Sequence, residues 1–258
     1  MTTDSVSTAR ATLASADPRT LADAIRMYAD DGRPGVIDAV QAAQRRLIRL
    51  EAESARLSGL AELERSLSKR GYVVIAGVDE VGRGALAGPV SAGACVLPAD
   101  ASIPGLRDSK ALSPTVRSEL ALLIRSIAVA SHVAHIPAAR IDEIGIARAT
   151  LLAMREAVAG LDAPVDHVLV DGNDVEIGYT HTAVVKGDAT VRAIAAASII
   201  AKVDRDALMR DLDPVFPGYG LAGNKGYGSA EHMRAIADLG PSAIHRRSFS
   251  PCAQPSLF

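Results

Sequence analysis

Asp79 and Glu80 stand side by side at the end of an apolar run and are followed at once by Gly82-Arg83-Gly84, so paired carboxylates meet a backbone-exposing, cationic turn. Two further acids close similar runs, Asp171 in Val170-Asp171-Gly172-Asn173 and Asp188 in Lys186-Gly187-Asp188. Acids at buried strand ends are costly unless positive charge sits with them. Oxygen donors without His or Cys companions suit Mg²⁺ or Mn²⁺ and not zinc. If the strand ends are neighbours the carboxylates converge, and two divalent ions roughly 4 Å apart would neutralise them and clamp the entering and leaving oxygens of a phosphodiester. Each acid also has a bland explanation: Asp79 and Glu80 as a strand running into a polar turn, Asp171 as a turn former, Asp188 as a helix cap. The combination favours the chemistry of a metal-dependent nuclease.

The glycines admit a competing reading, because Gly82-Arg83-Gly84-Ala85-Leu86-Ala87 after a strand satisfies a loose dinucleotide-binding pattern. That site needs a helix N-terminus next. Here Gly88-Pro89-Val90 and Ala94-Cys95-Val96-Leu97 read as a second strand, and Asp79 and Glu80 would repel a metal-free pyrophosphate. Glycines that let backbone amides approach a sugar-phosphate, with Arg83 alongside, account better for the turn.

The elements that must position these residues fall into two stretches. Up to about Arg70 the chain reads as helical: Asp17 and Pro18 open a helix carrying Leu21, Ile25 and Tyr28, and Gly32-Arg33-Pro34-Gly35 ends it. A second helix carries Val40, Ala43, Leu47, Leu50 and Leu57 on one narrow seam, interrupted by Ser54. Arg45, Arg46, Arg49 and Arg56 decorate it, as a solvated face or, alternatively, as phosphate contacts. From Gly71 the pattern becomes mixed α/β. Strands are expected at 72–78, 89–97, 127–135, 167–170 and 182–185, with helices at 146–159, 189–212 and 229–239. Gly- and Pro-rich residues 216–228 form a loop, followed at the end by an irregular basic tail.

The chain has 258 residues, 48% apolar and 22% charged, enough to bury a real core. Its formal net charge of −2 limits any nucleic-acid surface to a local cluster of Arg and Lys. Only Cys95 and Cys252 occur, too few for a disulfide framework or a cysteine zinc site. No run approaches a membrane helix and the start lacks signal-peptide character, so a cytoplasmic location is expected.

Taken in order, several motifs resemble the signatures of bacterial ribonuclease HII, a type 2 ribonuclease H. They are Gly77-Val78-Asp79-Glu80-Val81-Gly82-Arg83-Gly84, Asp108-Ser109-Lys110, Val170-Asp171-Gly172-Asn173, Val185-Lys186-Gly187-Asp188, Ala196 to Val203 with Arg205-Asp206, Lys225-Gly226-Tyr227, and His245-Arg246-Arg247-Ser248-Phe249. The resemblance covers about residues 72–249. It implies an α/β, RNase H-like fold: a five-stranded mixed sheet flanked by helices, with a helical C-terminal part forming a substrate groove. Residues 1–70 are then a helical extension and 71–258 the catalytic domain.

By the same resemblance Asp79, Glu80, Asp171 and Asp188 are the catalytic and metal-binding residues, holding two Mg²⁺ or Mn²⁺ ions. The implied enzyme is a monomeric endoribonuclease that hydrolyses the RNA strand of RNA-DNA hybrids. It also incises 5′ of ribonucleotides embedded in duplex DNA, leaving 3′-hydroxyl and 5′-phosphate ends. Gly82, Arg83 and Gly84 match the turn that senses the ribose 2′-hydroxyl. Tyr227 matches the tyrosine that packs on the deoxyribose past the RNA to DNA junction. Ser109, Lys110 and Lys186 are candidate phosphate contacts, although a lysine near acids also serves as a structural counter-charge. Lys202 and Asp206, four apart on one helix, are expected to pair. His245, Arg246 and Arg247 form a candidate phosphate-binding cluster, with a solvated tail as the alternative. The chain departs from the family at Asn224, usually His, and at Ala111, often a second Lys. Asn cannot titrate near neutrality, so no proton shuttle is expected there, and Ala111 is expected to weaken backbone binding slightly. The closest rival is a nuclease of the same fold acting on branched DNA, and a silent hybrid-binding protein is the non-enzymatic one.

Overall fold

The computed structural model describes residues 4–253. The chain divides into two compact units, Met1–Gly59 and Leu60–Phe258.

The first unit is helical: α1 (Val6–Ser15), α2 (Leu21–Tyr28) and the long α3 (Pro34–Leu60). Leu13, Leu21, Ile25, Tyr28, Val36, Val40 and Ala43 form its core, with Leu47 and Leu50 packed against it. Asp17 does not open α2 directly; its carboxylate accepts from the Arg19 and Thr20 N–H groups, capping a separate turn before Leu21. Arg46 donates to the carbonyls of Ala14 and Ala16 at 3.0 and 2.9 Å, which satisfies groups left open at the end of α1. Arg56 pairs with Glu53 one turn away. These contacts make structural groups of two of the four arginines that decorate this helix.

The second unit opens with α4 (Glu62–Lys69) and continues through β1 (Ile75–Val81), β2 (Val90–Val96), α5 (Pro114–Ile127), β3 (Ala130–Ile136), α6 (Ala138–Ile144) and α7 (Ile146–Ala159). It ends with β4 (His167–Asp171), β5 (His181–Val184), α8 (Gly187–Thr190), α9 (Arg192–Leu212), α10 (Leu221–Asn224) and α11 (Ala230–Leu239). The strands form one mixed sheet in the order β3-β2-β1-β4-β5. β1 runs antiparallel to β2 and parallel to β4, which puts Asp79 and Asp171 on neighbouring strands. This is an RNase H-like arrangement.

β1 differs from the expected strand at both ends. Val73 and Val74 donate their N–H groups to the Asp166 carboxylate and so leave the ladder, while pairing continues past Val78 to Asp79–Gly93, Glu80–Ala92 and Val81–Ser91. Asp79 and Glu80 therefore lie within the strand and not beyond its end. Strand alternation sends them to opposite faces. Ala76 and Val78 pack with Ala149, Ala153, Met154 and Ala157 of α7, so Glu80 shares that face. Ile75 packs with Leu169 and Ile194 of α9, and Asp79 points the same way.

Two glycines set how close α9 comes. A Cβ at Gly77 would overlap the backbone of Ala193 and Ile194, and one at Gly93 would overlap the Ala197 carbonyl. Ala193, Ala197 and Ala201 repeat every four residues, so α9 lays its smallest stripe on the sheet. The start of α9 is anchored by Glu64 of α4, which accepts from the Ala193 N–H at 2.9 Å and forms a buried ion pair with Arg192. Gly77→Ala is expected to cost about 3 kcal/mol or more, because backbone and not a flexible side chain would have to move. Urea unfolding measures it, and a cost below about 1 kcal/mol would contradict the close approach.

Candidate active site

The carboxylates lie toward the C-terminal ends of the adjacent inner strands β1 and β4 and in the first turn of α8. Asp79 is 6% exposed; burial pushes its carboxyl well up, a hydrogen bond from Ser198 opposes this, and Asp171, Glu80 and Asp188 push it further. Ser198 is held in turn by the buried Ser109 hydroxyl at 3.0 Å. Glu80 is raised by burial, lowered by Arg83 and raised by Asp171, with an Arg83 Nη 3.9 Å from its carboxylate. Asp171 accepts from the Gly187 N–H at 2.6 Å and the Asp188 N–H at 3.4 Å, so it caps α8 and brings Asp188 alongside. Asp188 is raised by burial and then by Asp171, and the Lys110 Nζ lies 3.6 Å away. Asp188 does not cap α9, which begins at extended Val191.

Among the described residues no three His, Cys, Asp or Glu side chains are drawn together into a metal-holding group. The donor set nevertheless fits a hard divalent cation. It is all carboxylate oxygen, and Asp79, Glu80 and Asp188 each have burial and a neighbouring acid acting against the charged form. A cavity of about 260 Å³ opens beside it, lined by Glu80, Arg83, Thr150, Met154, Asp171 and Asn173.

The glycine turn is held from behind. Arg246, with no exposed surface, donates to the carbonyls of Gly82 at 2.7 Å, Arg83 at 2.8 Å and Gly88 at 3.1 Å. Gly82 takes φ +82, and a Cβ there would collide with the side chain of Arg205. Arg83 and Gly84 are exposed, and among the described residues their amides donate to no protein group. The turn thus keeps its carbonyls inward while these two donors remain available.

Tyr227 sits beside this turn, because the Leu86 and Ala87 N–H groups donate to the Gly226 carbonyl at 2.7 and 3.2 Å. Its half-buried ring has the Arg205 guanidinium 5.3 Å and the Lys202 Nζ 5.6 Å from the centroid. Lys202 also pairs with Asp206 at 2.7 Å, the intrahelical pair the spacing predicts. Asn224 donates to the Tyr219 carbonyl and accepts from the Gly226 N–H, both at 2.7 Å, so it shapes the loop before Tyr227. Lys186 is exposed at φ +58, two residues before Asp188.

The tail is neither a phosphate cluster nor a solvated segment. His245 and Arg246 are buried, and only Arg247 of the three is exposed. His245 accepts at Nδ1 from the Ser242 N–H at 3.1 Å and lies 2.8 Å from the Ser242 hydroxyl; its Nε2 is 3.1 Å from Nε2 of His232, whose Nδ1 lies 2.9 Å from the Tyr227 carbonyl. One proton order satisfies this chain: His232 donates to Tyr227 and accepts from His245, and both rings are neutral. Sequence reading did not identify Arg205, Arg246, Ser198 or the His232–His245 pair as supporting groups. The available signal was Arg205 at the four-residue spacing of Ala193, Ala197 and Ala201, a charge on the stripe that faces the sheet.

Comparison with known proteins gives the family and agrees with the fold. A family model described as Ribonuclease HII matches residues 76–252, and one described as Ribonuclease HII N-terminal domain matches residues 5–68. Ribonuclease HII of Geotalea uraniireducens is 52% identical over 191 residues, covering 74% of this chain and 88% of the relative. The crystal structure of ribonuclease H2 from Pyrococcus horikoshii superposes with a TM-score of 0.61 at 28% identity, covering 70% of this chain and 95% of that one. Bst-RNase HIII in complex with Mn²⁺ shares the fold at 18% identity and a TM-score of 0.56, covering 70% of this chain and 68% of that one.

The neutral histidine chain has a pH signature. Burial, then the neighbouring His232, lowers His245 from 6.5 to about 4, so in this window the unfolded chain binds a proton the folded one refuses. The contribution of His245 is intact above pH 6.5 and is lost as pH falls toward 4, at up to about 1.4 kcal/mol per pH unit. His245→Gln is expected to flatten the acid limb of stability against pH in urea melts; an unchanged slope would contradict the buried neutral assignment.

Proposed function

This chain belongs to the ribonuclease HII family, and from that premise we propose that it hydrolyses the RNA strand of RNA-DNA hybrids and incises 5′ of single ribonucleotides embedded in duplex DNA. The products would carry 3′-hydroxyl and 5′-phosphate ends. The observation that carries the proposal is that four carboxylates, on β1, β4 and α8, are near enough to oppose one another's ionisation, beside a glycine turn whose Gly82 and Arg83 carbonyls are tied inward.

In this reading Asp79, Glu80, Asp171 and Asp188 hold two Mg²⁺ or Mn²⁺ ions, a choice supported by their oxygen-only chemistry and by the Mn²⁺ complex of the structurally similar RNase HIII. Bound there, such ions supply charge neutralisation, a nucleophilic water and a clamp on the transferring phosphate. Ser198 favours the ionised form of Asp79, and Asp171 orients the start of α8 so that Asp188 comes alongside it. Lys110 beside Asp188, and exposed Lys186, are placed to contact the substrate backbone. Ser109 contributes through Ser198, since its hydroxyl is buried in that bond. The free amides of Arg83 and Gly84 suit a ribose 2′-hydroxyl, which distinguishes RNA from DNA. Tyr227 offers its ring to the following deoxyribose. In this reading residues 71–258 are the catalytic domain and residues 1–70 an extension to it, of which α4 already belongs to the same compact unit as the sheet.

The assay is a duplex containing one ribonucleotide, incubated with Mg²⁺ or Mn²⁺. Incision 5′ of the ribonucleotide is expected, and an intact duplex under both metals, or cleavage of a branched DNA junction instead, would contradict the proposal. Asp79→Asn is expected to lower turnover by at least about a thousand-fold while substrate binding changes by less than about three-fold, since the variant loses an ion ligand and not the groove. Full activity would refute its assignment. Tyr227→Ala is expected to reduce cleavage at the single ribonucleotide selectively, and an equal loss on long hybrids would count against the junction role.

A further inference from the structure

Arg205 has no exposed surface and, among the described residues, no ion-pair partner. A buried guanidinium without a carboxylate is costly, so its donors must be satisfied otherwise. They are satisfied by carbonyls from two separate segments. Nε donates to Pro89 at 2.9 Å and one Nη to Ala87 at 3.2 Å, both just after the glycine turn; the other Nη donates to Lys225 at 2.9 Å in the Tyr227 loop. Its Cζ stands 5.3 Å from the centroid of the Tyr227 ring. A Cβ on Gly82 would overlap its side chain, so the turn rests directly on it. One rigid planar group therefore touches Gly82, the end of the turn, the loop backbone and the Tyr227 ring.

We infer that Arg205 is a positioning residue that sets the spacing between the ribose-sensing turn and Tyr227, and through it the preference for a lone ribonucleotide over a continuous hybrid. This rests on the roles given to the turn and Tyr227 under the proposed function. A lone ribonucleotide offers one 2′-hydroxyl followed at once by deoxyribose, so both contacts must be made in a single register. A continuous hybrid offers a 2′-hydroxyl in every register and does not need the second contact. Misplacing one contact against the other by about 1 Å therefore penalises the first substrate far more. Lysine cannot substitute, because a point ammonium lacks the planar fork that reaches several carbonyls at fixed geometry.

The test compares kcat/KM on a duplex with one ribonucleotide and on a hybrid of equal length, both with Mn²⁺, for the full chain and its variants. Arg205→Lys keeps the buried charge, and the ratio of the two values is expected to fall at least about ten-fold. Activity on the hybrid reports that the variant is folded, and Arg205→Gln, assayed at lower temperature, gives a second reading of the same ratio. In a Tyr227→Ala background Arg205→Lys is expected to change the ratio by less than about two-fold, since it acts through that ring. An equal fall on both substrates, or full additivity with Tyr227→Ala, would overturn the inference. If Tyr227→Ala leaves the ratio intact, the junction reading fails and this inference falls with it. If Tyr227→Ala collapses the ratio and Arg205→Lys does not, this inference alone is wrong.

Discussion

The backbone of α9 lies so close to β1 and β2 that no side chain fits at Gly77 or Gly93, and most of the site follows from that approach. One helix delivers Ser198 to Asp79, Lys202 toward the Tyr227 ring and Arg205 beneath Gly82. Spacing by four residues puts Ser198 and Lys202 on one stripe, and Ala193, Ala197, Ala201 and Arg205 on the stripe that faces the sheet. Glu64 and Arg192 then fix where the helix begins. A strand and a helix in this contact act as one rigid frame, which suits chemistry that depends on sub-ångström placement.

Two of the buried arginines serve backbone carbonyls and no carboxylate. Arg205 and Arg246 direct their donors to backbone carbonyls of the glycine turn and the Tyr227 loop. Burial and neighbouring acids push the Asp79 carboxyl up, and the Ser198 hydroxyl and the charge of Lys110 favour its ionised form. The nearest lysine and arginine, Lys110 and Arg83, are exposed and stand 3.6 and 3.9 Å from Asp188 and Glu80. Exposed pairs of that kind are weak. Two deeply buried cations thus shape the loops, while Asp79, Glu80 and Asp188 have no buried arginine paired with them, the condition under which a divalent ion binds most favourably.

Much of this was legible in the sequence, for identifiable reasons. Strand-end acids and their glycine-arginine neighbour are local patterns, so Asp79, Glu80, Asp171 and Asp188 stand out as candidates, and the helix at 146–159 agrees with α7 to the residue. The bounds of β1 were misread because the Asp166 carboxylate, 92 residues away from Val74, takes its N–H group out of the ladder, and no local pattern reveals that. The C-terminal tail was misread for a related reason. His245 and Arg246 look like surface residues by type, and become interior ones only because Tyr227, His232 and the glycine turn supply their partners. Gly77 and Gly93 read as ordinary strand residues until the helix above them is known. Long-range satisfaction of polar groups, and not propensity, separates what was legible from what was not.

The central claim is that four carboxylates, short of protein countercharge, are completed by divalent cations. Thermal unfolding at pH 8 with and without Mn²⁺, in the presence of no substrate, tests it most directly. The account predicts that Mn²⁺ raises the midpoint of the intact chain by several degrees, on the order of 2–4 °C per kcal/mol of binding, and that Asp79→Asn removes most of that rise. An unchanged midpoint in the intact chain, or an equal rise in the Asp79→Asn variant, would contradict it.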